Sequence, residues 1–308
     1  MATSDPLDLV ANAQRFSGFA DLYDRVRPAP PPILASILTA YSGGTRPRLL
    51  VDLGSGTGLS SRWASTWVDE VVGVEPSDDM RRQASAATTT ANVRYRTGWS
   101  HATGLSDHCA DVVVAAQALH WMDPTPTFAE VGRLLWPGGV FAAIDCDWPP
   151  SIGNAPAEGA WRRCRAIVKS YEERLAAGLT DEELRAPLGD DVDVALPAHF
   201  GRDPNKDRTM AVGVRSWSKD EHLSRLLSSG AFAWCGEVAV LGEEAGTAER
   251  FIDLLRSQGD LQTLVKHGVD EAQLGVDRFA VATRAALGTE ERPMWFTFRV
   301  RIGVTPNE

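Results

Sequence analysis

Cysteine is scarce in this chain of 308 residues, and its four copies, Cys109, Cys146, Cys164 and Cys235, stand far apart with no Cys-x-x-Cys pair. Such spacing supports neither a disulfide framework nor a zinc site, so no metal is expected and the thiols read as reduced ones in a cytoplasmic protein. Long apolar runs are also missing. Nowhere do about 18 apolar residues follow one another, which argues against a membrane span. The opening stretch MATSDPLDLVANAQRF has neither the basic nor the apolar region of a secretory signal. Residues 1–12 read as a frayed leader. Positive charge is in deficit, with 31 Lys and Arg against 41 Asp and Glu and a net charge of −10. No basic run offsets that balance, so a nucleic-acid partner is not expected. Internal repeats and low-complexity segments are absent.

What is present centres on residues 49–62, LLVDLGSGTGLSSR. Leu49-Leu50-Val51 is a short apolar run, bounded like a buried parallel strand. Asp52 follows, then glycines at alternate positions, Gly54, Gly56 and Gly58, with Ser55 between the first two. A helical segment begins near Leu59. Glycines so spaced let the backbone turn sharply and approach a ligand where a Cβ would clash. The next helix aims its unpaired N–H groups into that turn. Strand, glycine turn and helix together make a nucleotide site.

Details select the nucleotide. The dinucleotide fingerprint needs glycine where Leu59 stands, and the phosphate-binding loop of nucleoside triphosphatases needs a lysine that is not there. An acid just ahead of the loop suits a ligand with an ammonium group and repels a pyrophosphate. A second apolar strand, Val71-Val72-Gly73-Val74, ends in Glu75, where such folds put an acid for ribose hydroxyls. Asp52, the three glycines and Glu75 at this separation resemble the class I S-adenosylmethionine-dependent methyltransferases, in particular the type-11 group with the trans-aconitate and quinone-biosynthesis enzymes. That resemblance implies an α/β, Rossmann-like, doubly wound sheet of seven strands with the last antiparallel, S-adenosylmethionine as cofactor, and S-adenosylhomocysteine as product. It covers about residues 16–147.

Further residues carry the resemblance and acquire expected roles from it. Phe16, Tyr23 and Arg27 match an aromatic, Tyr-Asp, Arg-Pro pattern ahead of the core. A tyrosine hydroxyl and a guanidinium can hold the carboxylate of a methionine moiety; equally, Tyr23 and Arg27 can lie on the solvated face of an entry helix. Pro76 and Met80 follow the strand-two acid, where family members flank the adenine, though Met80 also suits a helix core. Trp99 is a departure: it stands where an aspartate commonly receives the adenine amino group. Stacking by Trp99 and a hydrogen bond to Ser100 are the substitutes. The fourth strand, residues 111–116, ends in Gln117-Ala118-Leu119-His120-Trp121, and strand C-termini face ligands in such sheets. Gln117 and Trp121 are therefore placed at the cofactor or acceptor. His120 is the candidate base, against the alternative of a structural histidine. Trp136-Pro137-Gly138-Gly139 reads as the turn into strand five, residues 140–145.

The remaining chain suggests a division into a cofactor-binding core (1–147), a substrate-covering insertion (148–217) and the rest of the core (218–308). Ser218 with Glu221 reads as a capping box heading a helix that ends at Gly230. Residues 232–241 read as strand six, 247–287 as helices broken near Gly259 and Gly268, and 294–304 as the last strand. Methyl transfer from a sulfonium is an in-line displacement, so alignment and exclusion of water carry most of it. A base is needed only where the acceptor must lose a proton. The ten tryptophans suit an apolar pocket, although any one of them is as well explained by the core. A small-molecule acceptor is the expected partner. Two alternatives stay open: a methyltransferase fold using S-adenosylmethionine for another reaction, and a methyltransferase of protein or RNA.

Overall fold

The computed structural model describes residues 6–14, 18–188, 208–209 and 214–307. Phe16 lies outside the described residues, as does most of the stretch between 189 and 213. Three helices come first, α1 (Pro6–Gln14), α2 (Ala20–Val26) and α3 (Ile33–Tyr41). Strands and helices then alternate: β1 (Leu49–Leu53), α4 (Leu59–Ala64), β2 (Glu70–Val74), α5 (Asp78–Ala87) and β3 (Val93–Arg96). Next are β4 (Ala110–Ala116), a 3₁₀ turn at Leu119–Trp121, α6 (Pro124–Leu134) and β5 (Leu135–Cys146). The second half holds α7 (Ala155–Ala176), α8 (Asp181–Arg185), the short pair β6 (Arg208–Thr209) and β7 (Arg215–Ser216), and α9 (His222–Ser228). It ends with β8 (Trp234–Gly246), α10 (Ala248–Arg256), α11 (Gly259–Lys266), α12 (Val276–Leu287) and β9 (Arg292–Val304).

Seven strands form one sheet in the order β3-β2-β1-β4-β5-β9-β8. β1 to β5 pair in parallel, and β9 runs antiparallel to both its neighbours. This is the expected doubly wound α/β sheet with its reversed last strand. Apolar runs without alternation explain the centre: Leu50, Val51, Leu53, Val112, Val113 and Val114 are all fully buried, because helices cover both faces of a parallel sheet. Each such side chain contributes about 1.5–3 kcal/mol by leaving water. On one face α3, α4, α7, α10 and α12 share an apolar cluster, and the opposite face carries α6 and α9. Trp161, Phe251 and Phe279 meet at ring-centroid distances of 5.0, 5.9 and 5.8 Å. Trp161 is therefore a core residue, and α7 packs on the sheet's own core.

Three local expectations change. The Trp136–Gly139 stretch is the bulged start of β5, which begins at Leu135 with a register shift against β4. No side-chain cap forms at Ser218, which opens a 3₁₀ turn (Lys219–Glu221), and Glu221 pairs with Arg225 at 3.4 Å instead. A capping box does form at Thr180 and Glu183, heading α8. The leader is not frayed from residue 6 onward: α1 docks through Asn12, which donates to the carbonyls of Trp121 (2.8 Å) and Arg215 (2.9 Å) and accepts from the Arg215 N–H (2.9 Å).

Candidate active site

Strand order reverses between β1 and β4, and ligands of open α/β sheets bind at that crevice beyond the strand ends. The β1–α4 loop shapes it. The Gly54 and Ser55 N–H groups donate to the Val74 carbonyl at 2.8 and 3.3 Å, folding the loop back on β2. Gly54 has φ +63°, and a Cβ there would meet Met122 Cε at 2.7 Å and Ala118 Cβ at 2.9 Å. At Gly56 (φ +54°) a Cβ would meet nothing within 4 Å, because this residue borders open cavity. Gly58, in the left-handed region, starts α4, and a Cβ would strike the Tyr95 hydroxyl. Gly58 thus serves close packing and does not line the cavity.

Two acids anchor this half of the site differently from one another. Asp52 was expected to meet an ammonium group, but it is fully buried beneath the loop and does not line the cavity. Its Oδ2 accepts the hydroxyls of Ser60 (2.7 Å) and Ser61 (2.6 Å), which ties β1 to the first turn of α4. Burial raises its pKa to about 6, against the pull of those two hydroxyls. Glu75 does line the cavity. Its Oε2 accepts from the Gly56 N–H (3.0 Å) and its Oε1 from the Ser77 N–H (2.9 Å). Burial pushes its pKa up, opposed by these bonds and by Arg81. Carboxylate oxygens have about four acceptor positions, so two bonds leave capacity for ribose hydroxyls. The buried Ser55 and Thr57 hydroxyls also lack partners in the protein. A cradle without Cβ at Gly56, an acid and unpaired hydroxyls together fit an adenosyl group.

Pro76, Met80, Trp99, Ser100, Gln117 and Trp121 join Gly54, Ser55, Gly56 and Glu75 on the same cavity wall, as do Tyr23 and Arg27. Met80 is also 3% exposed, so it serves cavity and core at once. Ser100 shares a hydrogen bond with Thr127 at 2.9 Å, and Trp99 lies near-parallel to His101 at 6.4 Å. Gln117 stands out by its backbone. It has φ +53°, rare for a residue with a side chain, and such strain gathers at functional strand ends. Its N–H donates to the Ile144 carbonyl at 2.7 Å, and its Oε1 accepts from Lys219 Nζ at 3.0 Å.

The roof comes from the N-terminus. Leu9, Asn12 and Ala13 of α1, with Pro28 and Pro30, cover the cavity, whereas no residue of 247–287 lines it. Among the described residues of the insertion region only Trp148, just past β5, reaches it. Helix α2 lies across the strand ends. The Gly18 N–H ahead of it donates to Asp79 on α5 (3.1 Å), and Asp24 pairs with Arg62 on α4 (2.5 Å). Past its C-terminus, Arg27 donates to Ser257 Oγ (2.9 Å) and the Ser257 carbonyl (2.7 Å). The guanidinium lies between two rings, 4.7 Å from the Tyr23 centroid and 4.5 Å from that of Trp148.

His120 departs from its expected place. Leu119–Trp121 is a single 3₁₀ turn, in which neighbouring side chains point about 120° apart. Trp121 faces the cavity; His120 is buried and does not line it. Its Nδ1 is 3.7 Å from Oδ1 of Asp145, on the far side of β5. Asp145 also meets Lys219 Nζ (3.0 Å), Arg301 Nη1 (3.0 Å) and His222 Nε2 (3.8 Å). Burial would raise the Asp145 pKa, but Lys219, His222, His120 and Arg301 overcome it and hold the carboxyl well below its usual range. His120, Asp145 and His222 are close enough to ligate a metal. Two cations already occupy the carboxylate oxygens, however, and a third positive charge would be repelled. Sequence gave little warning of this network beyond one signal, an acid at the buried end of an apolar strand.

Comparison with known proteins agrees with this geometry. Residues 51–143 match the methyltransferase domain family. A protein of Saccharomyces cerevisiae named a probable S-adenosylmethionine-dependent methyltransferase is 26% identical over 203 residues, 61% of this chain and 69% of its own length. An uncharacterized methyltransferase of Mycobacterium tuberculosis is 35% identical over 125 residues, and the match spans 40% of this chain and about half (49%) of that relative. Among solved structures, a candidate type II methyltransferase from Anaeromyxobacter dehalogenans shares the fold with a TM-score of 0.56 at 23% identity, over 91% of this chain and 98% of that one. Among the described residues no helix is long and apolar enough to cross a membrane. The matched stretch and the relatives make this chain similar to S-adenosylmethionine-dependent methyltransferases, and the solved structure shows that it has their fold.

Proposed function

We propose that the protein transfers a methyl group from S-adenosylmethionine to a small-molecule acceptor held beneath α1 and α2. One observation carries this reading: the cradle of Gly54, Gly56 and Glu75 opens without interruption into a covered, largely apolar chamber bounded by Trp121, Met122, Ile144, Trp148 and Phe298. A roofed chamber suits a small molecule. A protein or RNA acceptor would need an open, and for RNA a basic, surface, and the chain carries a net charge of −10. The four cysteines are free, which suits a reducing cytoplasm.

S-adenosylmethionine, when bound, supplies a methyl group already activated on its sulfonium. The chain's own residues hold and align. Glu75 receives ribose hydroxyls, Ser55 and Gly56 border the amino-acid portion, and Pro76, Met80, Trp99 and Ser100 flank the base. Gln117 and Trp121 stand at the junction between cofactor and acceptor. Alignment and exclusion of water supply the rate. Among the described residues the chamber wall carries no histidine or lysine, Glu75 is engaged at the cofactor end, and burial pushes the Cys146 thiol up to about 12. Acceptors that need no deprotonation therefore suit it best.

The test is S-adenosylhomocysteine release from radiolabelled S-adenosylmethionine, with pools of small metabolites, total protein and total RNA as acceptors. Turnover with a small-molecule pool alone is the expected result. Label in protein or RNA would refute the acceptor class. Acceptor conversion without S-adenosylhomocysteine release would point to chemistry other than methyl transfer.

A further inference from the structure

Arg27 is a cation enclosed without an anion. Burial lowers its pKa, yet a guanidinium stays protonated in proteins. Its protein partners are neutral, namely the Ser257 hydroxyl and carbonyl and the faces of Tyr23 and Trp148. Asp260 is the acid whose charge reaches it, but both Asp260 oxygens are engaged by Arg165, one at 2.8 Å. Among the described residues Arg27 forms no ion pair with any carboxylate. Two of its five N–H groups serve Ser257, and the residue lines the cavity. Arg27 is half-buried, and a charge so far withdrawn from water is costly unless an opposite charge meets it. The anion must come from whatever fills the cavity.

Position decides which ligand supplies it. The adenosyl cradle is built on β1 and β2, through Gly54, Gly56 and Glu75. Arg27 sits at the other end of α2, against Ser257 at the end of α10 and Trp148 just past β5. β5 is separated from β1 by β4, and two strand spacings amount to about 9–10 Å. Arg27 therefore faces the acceptor half of the chamber. We infer that Arg27 anchors a carboxylate on the acceptor, while Tyr23 and Trp148 hold the guanidinium plane and the apolar wall of Ile144 and Phe298 takes the acceptor's body. This inference rests on the small-molecule reading above and names the substrate class: an apolar or aromatic acid. Planar guanidinium edges match carboxylates in two-point pairs, which fixes orientation as well as charge.

Benzoate and its neutral isostere benzamide are the probes, with phenyl phosphate as a third. Binding of each to the full-length protein is measured by calorimetry, with and without saturating S-adenosylhomocysteine. Benzoate should bind at least 10-fold more tightly than benzamide. Arg27→Gln should reduce benzoate to the benzamide level while leaving S-adenosylhomocysteine affinity within about 3-fold. Equal binding of benzoate and benzamide by the unaltered protein would overturn the inference, and that comparison needs no variant to fold. So would a loss of 10-fold or more in S-adenosylhomocysteine affinity on Arg27→Gln, which would assign the guanidinium to the cofactor's own carboxylate. Phenyl phosphate binding more tightly than benzoate would replace the carboxylate with a phosphate. The two readings fail separately. A protein that binds S-adenosylhomocysteine but not benzoate loses only the Arg27 assignment; one that prefers benzoate but ignores S-adenosylhomocysteine keeps the anion site and loses the methyltransferase reading.

Discussion

The two sides of the sheet handle buried charge in opposite ways. On the β1–β2 side, Asp52 and Glu75 form no ion pair among the described residues: hydroxyls and backbone N–H groups are their hydrogen-bond partners, and burial raises both pKa values although Arg81 pulls on Glu75. On the β5–β9 side, Asp145 is crowded by Lys219, Arg301, His120 and His222, and its pKa is driven down. An acid left short of partners is ready to receive a ligand, as Glu75 is on the cavity wall. An acid saturated by the protein has a structural task, and Asp145 joins the end of β5 to β9 and to the turn carrying Lys219. Arg27 belongs to the first kind with its sign reversed. Function in this chamber follows unsatisfied charge, and stability follows satisfied charge.

That contrast can be broken most forcefully at Asp145. Asp145→Ala leaves Arg301, 3% exposed, without one of its two acids and removes the acid that faces Lys219. Breaking a buried pair from one side costs about 3–5 kcal/mol, and urea denaturation should show a loss of that size. S-adenosylhomocysteine affinity of the folded fraction should stay within about 3-fold. A variant with unaltered stability but lost cofactor binding would invert the comparison.

The mirror-image effect belongs to Glu75 and Gly56. Glu75→Ala should cost about 1.5–3 kcal/mol of S-adenosylhomocysteine binding, the range for hydrogen bonds to a charged group, with a smaller change in unfolding midpoint than at Asp145. Gly56→Val should weaken binding by at least as much, because its φ of +54° disfavours a branched side chain and the new methyls would enter the cradle. NADH should not compete with S-adenosylhomocysteine. Calorimetry on the two variants and the parent checks all three points.

Legibility in the sequence divides along the same line. The β1–β2 half could be read because its chemistry is local. Asp52 to Gly58 lie within one turn, and Glu75 ends the next strand, so spacing alone brings them together. Even so, spacing cannot tell a carboxylate facing the ligand from one beneath the loop, and Asp52 proved to be the second kind. The strands of the parallel sheet followed from apolar runs, and the doubly wound seven-stranded arrangement with its reversed β9 from the family resemblance. The β5 half was illegible because its members come from distant parts of the chain: Asp145, Lys219, His222 and Arg301 meet only after β9 inserts beside β5. Asn12 docking to Trp121 and Arg215, and Arg27 to Ser257, are likewise contacts over 109, 203 and 230 residues. No local pattern announces such pairs.

The smallest effect is expected at His120, where the comparison is sharpened. The residue is the middle of a 3₁₀ turn in which Trp121 serves the chamber, yet its imidazole faces Asp145 and not the cavity. A general base must come within about 3 Å of the proton it takes, directly or through one water. His120 does not line the chamber, so proton abstraction from the acceptor is not expected of it. With His120→Gln, Asp145 keeps Lys219 and Arg301, and the turn keeps the bond from the Trp217 N–H to the residue-120 carbonyl (2.9 Å). Turnover should therefore fall by less than about 10-fold. KM for the acceptor should rise modestly, because Trp121 and Lys219-bound Gln117 shift slightly, and the rate profile should keep its shape between about pH 5.5 and 8.5. A base in this position would behave otherwise: its loss would lower turnover by roughly 10²–10⁴-fold and abolish an acid limb near the ordinary histidine pKa. Steady-state kinetics of His120→Gln against pH decides between them, and the larger loss would mean that the end of β4 rearranges to bring the imidazole into the chamber when the acceptor binds.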